Sequence, residues 1–337
     1  MSTPRGALGA TLHTGDLPIE DLLRYAQEAE ALGYEGFWLT EESGKEAFAV
    51  LALLARATQR IRLGTGIVSV YTRTPTLLAM GASTIHRLSG GRFALGLGTG
   101  GIGFVERGHG LRLERPLARV RETVAIVRGL LTQPRFSYTG RWFHIRDFRL
   151  REGPLDGTLP IYLSALNPRM VALAARIADG LISNWPTEES IAELQAIIQR
   201  EARAAGRDPG AVKILTLLMT CPDPADPAAV DAMRRGVAFY CASPHYHHIA
   251  EVSGLGPEVK RVYEVWQTGD FAAASRLVSD HMVEKFSLTG SPEACRRKLR
   301  WLLDAGVYPI VYPIPRRDRM VEDHLAAIRL VARYAAE

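Results

Sequence analysis

Short apolar runs alternate with amphipathic stretches along almost the whole chain, and this alternation limits the possible folds more than any other feature of the sequence. The runs at 7–12, 36–39, 61–68, 92–97, 160–163, 180–184, 212–220 and 307–312 read as eight strands. A first helix starts at the Asp16 and Pro18 signals and ends at Gly33; others follow at 46–58, 76–88, 115–131, 168–178, 188–205, 292–305 and 320–335. Strands that are apolar on both faces belong in a parallel sheet covered by helices. A single α/β domain over residues 1–337, closed as a (β/α)8 TIM barrel, is the simplest arrangement; an open doubly wound sheet has the same alternation. No Pro-, Ser- or Gly-rich linker divides the chain. The stretches 104–115, 133–159 and 222–286 read as insertions, expected to gather over the C-terminal ends of the strands, where barrels carry their active sites.

Composition removes several functional classes. With 47% hydrophobic and 23% charged residues the chain is neither disordered nor membrane-like, and residues 1–15 contain no long apolar run. Membrane insertion and secretion are therefore not expected, and a cytoplasmic location is. Cys221, Cys241 and Cys295 are odd in number and widely spaced, which suggests neither a disulfide framework nor a zinc site. The net charge of +5 comes from basic residues interleaved with acids, so no nucleic-acid surface is indicated.

The strand ends deliver Thr11 and His13, Thr40 with Glu41 and Glu42, residues 66–69, 98–103 and 164–167, and Asn184 with Trp185. Small, hydroxyl, amide and apolar groups in this mixture suit a flat organic cofactor and a small-molecule substrate better than a divalent metal. The segment Gly96-Leu-Gly-Thr-Gly-Gly-Ile-Gly103 lacks the Lys-Ser/Thr of a phosphate-binding P-loop and the acidic partner of a dinucleotide fold; by itself it implies only close backbone approach at a barrel rim. His245-Tyr-His-His248 has no accompanying carboxylate or cysteine motif, so no metal is assigned. His245, Trp185 and Trp266 are placed instead around a substrate cavity, with core packing the other reading of the two tryptophans.

Residues 47–101 carry a resemblance. Ala52-Leu-Leu-Ala, Thr58-Gln-Arg-Ile-Arg-Leu-Gly-Thr-Gly66, Tyr71-Thr-Arg-Thr-Pro75 and Leu88-Ser-Gly-Gly-Arg-Phe-Ala-Leu-Gly-Leu-Gly-Thr-Gly100 resemble the luciferase-like superfamily, and within it the F420-dependent group that includes methylene-tetrahydromethanopterin reductase. Ala178-Asp-Gly180, Gly269-Asp-Phe271 and Phe286-Ser-Leu-Thr-Gly-Ser-Pro292 extend the likeness. It implies an oxidoreductase that binds the deazaflavin coenzyme F420, moves a hydride to or from a small organic substrate, and forms a homodimer. It also implies a cis peptide at Gly66–Ile67 beneath the deazaflavin, cofactor contacts at Glu41, Ser69 and Thr99, and a phosphate turn at Ala165-Leu166-Asn167 opening a helix. Glu42 falls where the family has a histidine and is the candidate for proton transfer. The sequence departs from the group at Thr11 and Gly101, where relatives have glutamates, and at Asn167, which replaces a glycine and tolerates positive φ. Thr11 and His13 remain candidates to face the substrate. Two other readings stay open: an FMN-dependent monooxygenase on the same barrel, and a non-catalytic flavin-binding protein.

Overall fold

A computed structural model describes residues 7–337. Its strands, in chain order, are β1 Gly9–His13, β2 Gly36–Thr40, β3 Arg62–Thr65, β4 Val68–Ser69, β5 Phe93–Gly98, β6 Phe136–Thr139, β7 His144–Phe148, β8 Ile161–Ser164, β9 Gly180–Asn184, β10 Lys213–Thr220 and β11 Val307–Pro313. The helices are α1 Ile19–Ala31, α2 Ala47–Ala57, α3 Pro75–Leu88, α4 Pro116–Thr132, α5 Pro168–Ile177, α6 Glu188–Ala204, α7 Pro227–Cys241, α8 His247–Val252, α9 Gly256–Gln267, α10 Phe271–Arg276, α11 Asp280–Phe286, α12 Pro292–Asp304 and α13 Met320–Ala336.

Every barrel pairing is parallel, and the ring closes because β5 bonds to both β3 and β4 on one side and to β8 on the other. The result is a (β/α)8 TIM barrel, with β3 and β4 sharing one stave. Trp38, Ala94, Tyr162, Ile182, Leu215 and Ile310 fill its interior. Trp38 is the largest of these, and it fits only because residue 64 is glycine: a Cβ there would lie 2.3 Å from the indole. A continuous apolar shell between strands and helices forms the main core, in which each fully buried large side chain contributes roughly 1.5–3 kcal/mol. A separate apolar cluster, including Met219, Met233, Val237 and Phe286, lies under the helical insertion α7–α11. Among the described residues no helix is long and apolar enough to cross a membrane.

Three expectations need correction. Residues 61–68 form no continuous strand: β3 stops at Thr65, the Gly66–Ile67 bond is cis, and pairing resumes at Val68. Asp16 does not cap the first helix, which begins after Pro18 with no side-chain cap. Its carboxylate instead accepts from the His13 amide (3.3 Å) and lies 3.6 Å from His324 Nε2. Residues 133–159 do not gather over the strands' C-terminal ends. They follow helix α4, and their hairpin, β6–β7, packs along that helix: Phe136 fills the space over Gly129, and Glu122 accepts from the amides of Arg141 (2.9 Å) and Trp142 (3.0 Å). The 222–286 insertion is helical and brings Tyr240 and Tyr246 beside Asn184 at the end of β9.

Candidate active site

The break between β3 and β4 shapes the floor of the site. Gly66 N donates to Leu39 O (2.7 Å) and Glu41 N to Ile67 O (3.3 Å), so the turn is anchored to the end of β2, while the Ile67 side chain stays half-buried. Ile67 lies against residue 98, where an added Cβ would meet its side chain at 2.9 Å. Gly100 next along has φ +78°, a backbone conformation that favours glycine. Ser69 is buried; its hydroxyl donates to Thr99 O (2.7 Å) and accepts from Tyr71 N (3.1 Å), whereas Thr99 is half-buried and its hydroxyl turns to Gly100 O (3.1 Å).

Glu41 and Glu42 are adjacent but stand in different environments. Arg73 grips the Glu41 carboxylate in a two-pronged ion pair (2.7 Å for one prong), and the Ala47 amide donates to the same carboxylate (2.8 Å). Both oxygens are thus engaged, and Glu41 acts as a brace between the loops after β2 and β4. Burial alone would lower the Arg73 pKa; Glu41 and Glu46 more than offset it and hold it above the usual arginine value. Glu42 is exposed, and it makes no hydrogen bond among the described residues. Its charge still reaches Tyr240, Tyr246 and Tyr312.

Those three phenols belong to a polar network that sequence reasoning passed over. His13 Nδ1 bonds to Thr40 Oγ1 (2.6 Å) and its Nε2 to the Tyr312 hydroxyl, and the two rings meet edge to face with centroids 5.3 Å apart. Tyr240 lies beside both Tyr312 and Asn184, and Asn184 donates to the Tyr246 hydroxyl (3.1 Å). Burial raises the pKa of all three tyrosines, and the Glu42 charge raises them further. Asp16, below His13, is pushed up by burial, yet the two histidines beside it, His324 and His13, hold its pKa below the usual aspartate value. Tyr312 stands near the end of the last strand, so the rule that strand ends carry the site could have found it; Tyr240 and Tyr246 carry no such signal.

The other candidates divide. Thr11 is completely buried, with its hydroxyl donating to Trp38 O (2.6 Å), and does not reach the mouth. Trp185 is completely buried and stacked on Phe286 at 4.0 Å, a core residue and not a cavity wall. Trp266 packs with Phe239 and Phe271 on the insertion. Ala165 is buried, Leu166 and Asn167 are half-buried, and Asn167 directly precedes α5 with φ −112°, so the tolerance of positive φ read from its type is not used. The Asn167 side chain donates to His245 O (3.4 Å) and leaves the helix end uncapped; the amides of Asn167 and Arg169 have no acceptor among the described residues. His245 Nε2 is buried without a partner beside them, and burial lowers the pKa of the ring.

The histidine cluster does not converge. His247 turns to Cys241 O (3.2 Å) and His248 to Glu193 (2.9 Å), and no set of three metal-ligating side chains comes together among the described residues. Burial pushes the thiols of Cys221 and Cys241 up to about 12 and that of Cys295 up to about 11, which makes all three poor nucleophiles at neutral pH.

Comparison with known proteins bears on the family and the fold. A family model described as luciferase-like monooxygenase matches residues 4–308. A 5,10-methylenetetrahydromethanopterin reductase of Methanolobus tindarius is 32% identical over 304 residues, covering 88% of this chain and 91% of that protein. Among solved structures, the coenzyme F420-dependent tetrahydromethanopterin reductase of Methanopyrus kandleri superimposes with a TM-score of 0.83 at 26% identity over 97% of both chains. An F420-dependent secondary alcohol dehydrogenase, solved with an F420–acetone adduct, gives 0.78 at 19% identity over 97% of this chain and 99% of that one, a likeness of fold.

Proposed function

The chain belongs to the luciferase-like monooxygenase family, and from that premise we propose that it is an oxidoreductase that uses coenzyme F420 to pass a hydride to or from a small organic substrate. The observation that carries this reading is the floor of the barrel mouth: half-buried Ile67, at the break between β3 and β4, packs against Gly98, and the chain runs on through glycines at 100 and 101, beside which a flat ring would lie. A Cβ at Gly98 would press on the Ile67 side chain at 2.9 Å, whereas one at Gly101 would meet nothing within 4 Å. The free amides at the start of α5 suit the cofactor's phosphate. The full-length likeness to F420-dependent reductases supports the same choice.

In this reading Gly66 and Ile67 support the ring, Ser69 and Thr99 shape its edge, and Ala165, Leu166 and Asn167 present backbone to the phosphate. Glu41 acts through Arg73 to hold the floor in place, a positioning role in place of a direct cofactor contact. Bound F420 supplies a carbon-five position that carries the hydride. The chain's own work is to orient the two reactants, exclude water and manage the proton. Glu42, exposed at the rim, suits exchange of that proton with solvent.

Incubating the protein with reduced F420 and a panel of small ketones and iminium compounds tests the proposal. Oxidation of the cofactor is expected to need an organic acceptor and to proceed equally well without oxygen. Oxygen-dependent turnover with reduced FMN instead would establish the monooxygenase reading; tight cofactor binding with no turnover on any acceptor would point to a flavin-binding protein.

A further inference from the structure

We propose that His13, Tyr312 and Tyr240 form a proton relay ending at the substrate's oxygen, and that the substrate is an alcohol–carbonyl pair. The proposal rests on the hydride-transfer reading above and deepens it, because that reading gives the proton an exposed group to exchange with solvent, Glu42, and no group to pass it to or from the substrate.

The hydrogen bonds give the relay a direction. Thr40 Oγ1 donates to Leu12 O (3.3 Å), so its oxygen accepts from His13, which assigns the imidazole proton to Nδ1. His13 Nε2 is then an acceptor, and the Tyr312 hydroxyl donates to it. Tyr312 is 5% exposed and lies beside Tyr240, which is half-buried. The chain therefore runs from a half-buried base through one buried phenol to a second, half-buried phenol on the insertion. It lies next to the cofactor floor, because Thr40 is followed by Glu41, whose amide holds Ile67 O.

A phenol that both gives and accepts a proton suits an oxygen that changes between hydroxyl and carbonyl. In the oxidising direction the alcohol O–H bond breaks and its proton goes to the Tyr240 oxygen, while the Tyr240 proton moves to Tyr312 and the Tyr312 proton to His13 Nε2. The electron pair of the neighbouring C–H bond leaves as hydride to the oxidised deazaflavin, and the carbon–oxygen double bond forms. Reduction of the carbonyl runs the same steps backwards. The imidazolium produced on His13 meets the Tyr312 hydroxyl from β11 and lies beside the Asp16 carboxylate of the turn after β1, whose negative charge complements it. Tyr240 is the catalytic residue of the set, and Tyr312 and His13 act through it.

Nitrogen NMR of the histidine-labelled, unliganded protein tests the relay independently of turnover. His13 is expected as the Nδ1–H tautomer, with Tyr312→Phe shifting its Nε2 resonance. An Nε2–H tautomer, or a resonance unmoved by Tyr312→Phe, would overturn the proposal. Tyr240→Phe on the insertion provides a second route. It is expected to keep F420 affinity within about twofold while slowing alcohol oxidation about 100-fold and flattening its pH profile, the scale of a lost general acid–base group. Oxidation at the wild-type rate would exclude the relay. Failure of the wild-type protein to bind F420 would sink the cofactor reading alone, and the NMR result would still decide the fate of the relay.

Discussion

Replacing Gly98 with alanine is expected to weaken F420 binding about tenfold or more while the barrel still folds. The new methyl group would lie 2.9 Å from Cγ1 and Cδ1 of Ile67 and 3.0 Å from Cβ of Ser164. The end of the Ile67 side chain can turn away, so the cost to the fold is about 1–2 kcal/mol, within the usual range for an overpacked site. On the proposed reading that movement carries the side chain into the space assigned to the ring. Tenfold in affinity corresponds to about 1.4 kcal/mol, a modest penalty for a displaced floor. Fluorescence titration of the variant with F420, paired with its melting temperature, reads both effects. Wild-type affinity would mean that the ring does not lie on Ile67.

Gly96→Ala, two residues earlier on the same strand, is expected to do the reverse and prevent folding. Its Cβ would lie 1.9 Å from the carbonyl oxygen of Thr65, a backbone atom that cannot turn aside. Thr65 is also fixed to Gly96 from its side chain: its hydroxyl donates to Gly96 O (2.7 Å) and accepts from Gly96 N (2.8 Å). Moving β5 away from β3 would open the seam that closes the ring. The cost should reach or pass the ~3 kcal/mol upper end of ordinary overpacking, a large part of the roughly 5–15 kcal/mol that holds a typical domain together. Soluble yield and the urea midpoint measure it, and a midpoint equal to that of the wild type would show that the seam can yield. The two glycines thus separate fold from site: one leaves room for backbone, the other for the Ile67 side chain on which the ring is proposed to lie.

The barrel was largely legible because each stave is a short apolar run and each helix brings its own punctuation. Pro at the first turn of α3, α4, α5 and α12 and the positive φ at Gly33 after α1 are local signals. The break at residues 66–67 is invisible to periodicity, since the run from Ile61 to Val68 is apolar enough to pass as one strand; only the family resemblance placed it. The misplaced 133–159 segment was avoidable, because a stretch that follows a helix enters the next strand from its N-terminal end. Asp16 misled because the residue type that caps helices also bonds to nearby backbone in turns, and here it serves His13.

The site was less legible for a physical reason. Glu41 looked free because its partner, Arg73, is 32 residues away in the sequence. Thr11 and Trp185 looked available because strand position does not report depth, and both are fully covered. Tyr240 and Tyr246 depend on how five helices of insertion settle over the barrel, which no short pattern encodes. Polar networks assembled from distant segments are where sequence reading gives out first.

The central claim is that this mouth is built for a deazaflavin, and its most direct test is titration of the purified protein with F420 and, separately, with FMN, followed by fluorescence. The account predicts saturable binding of F420 at about micromolar concentrations, roughly 8 kcal/mol of binding free energy, with FMN at least about tenfold weaker. Preference for FMN, or binding of neither, would contradict it.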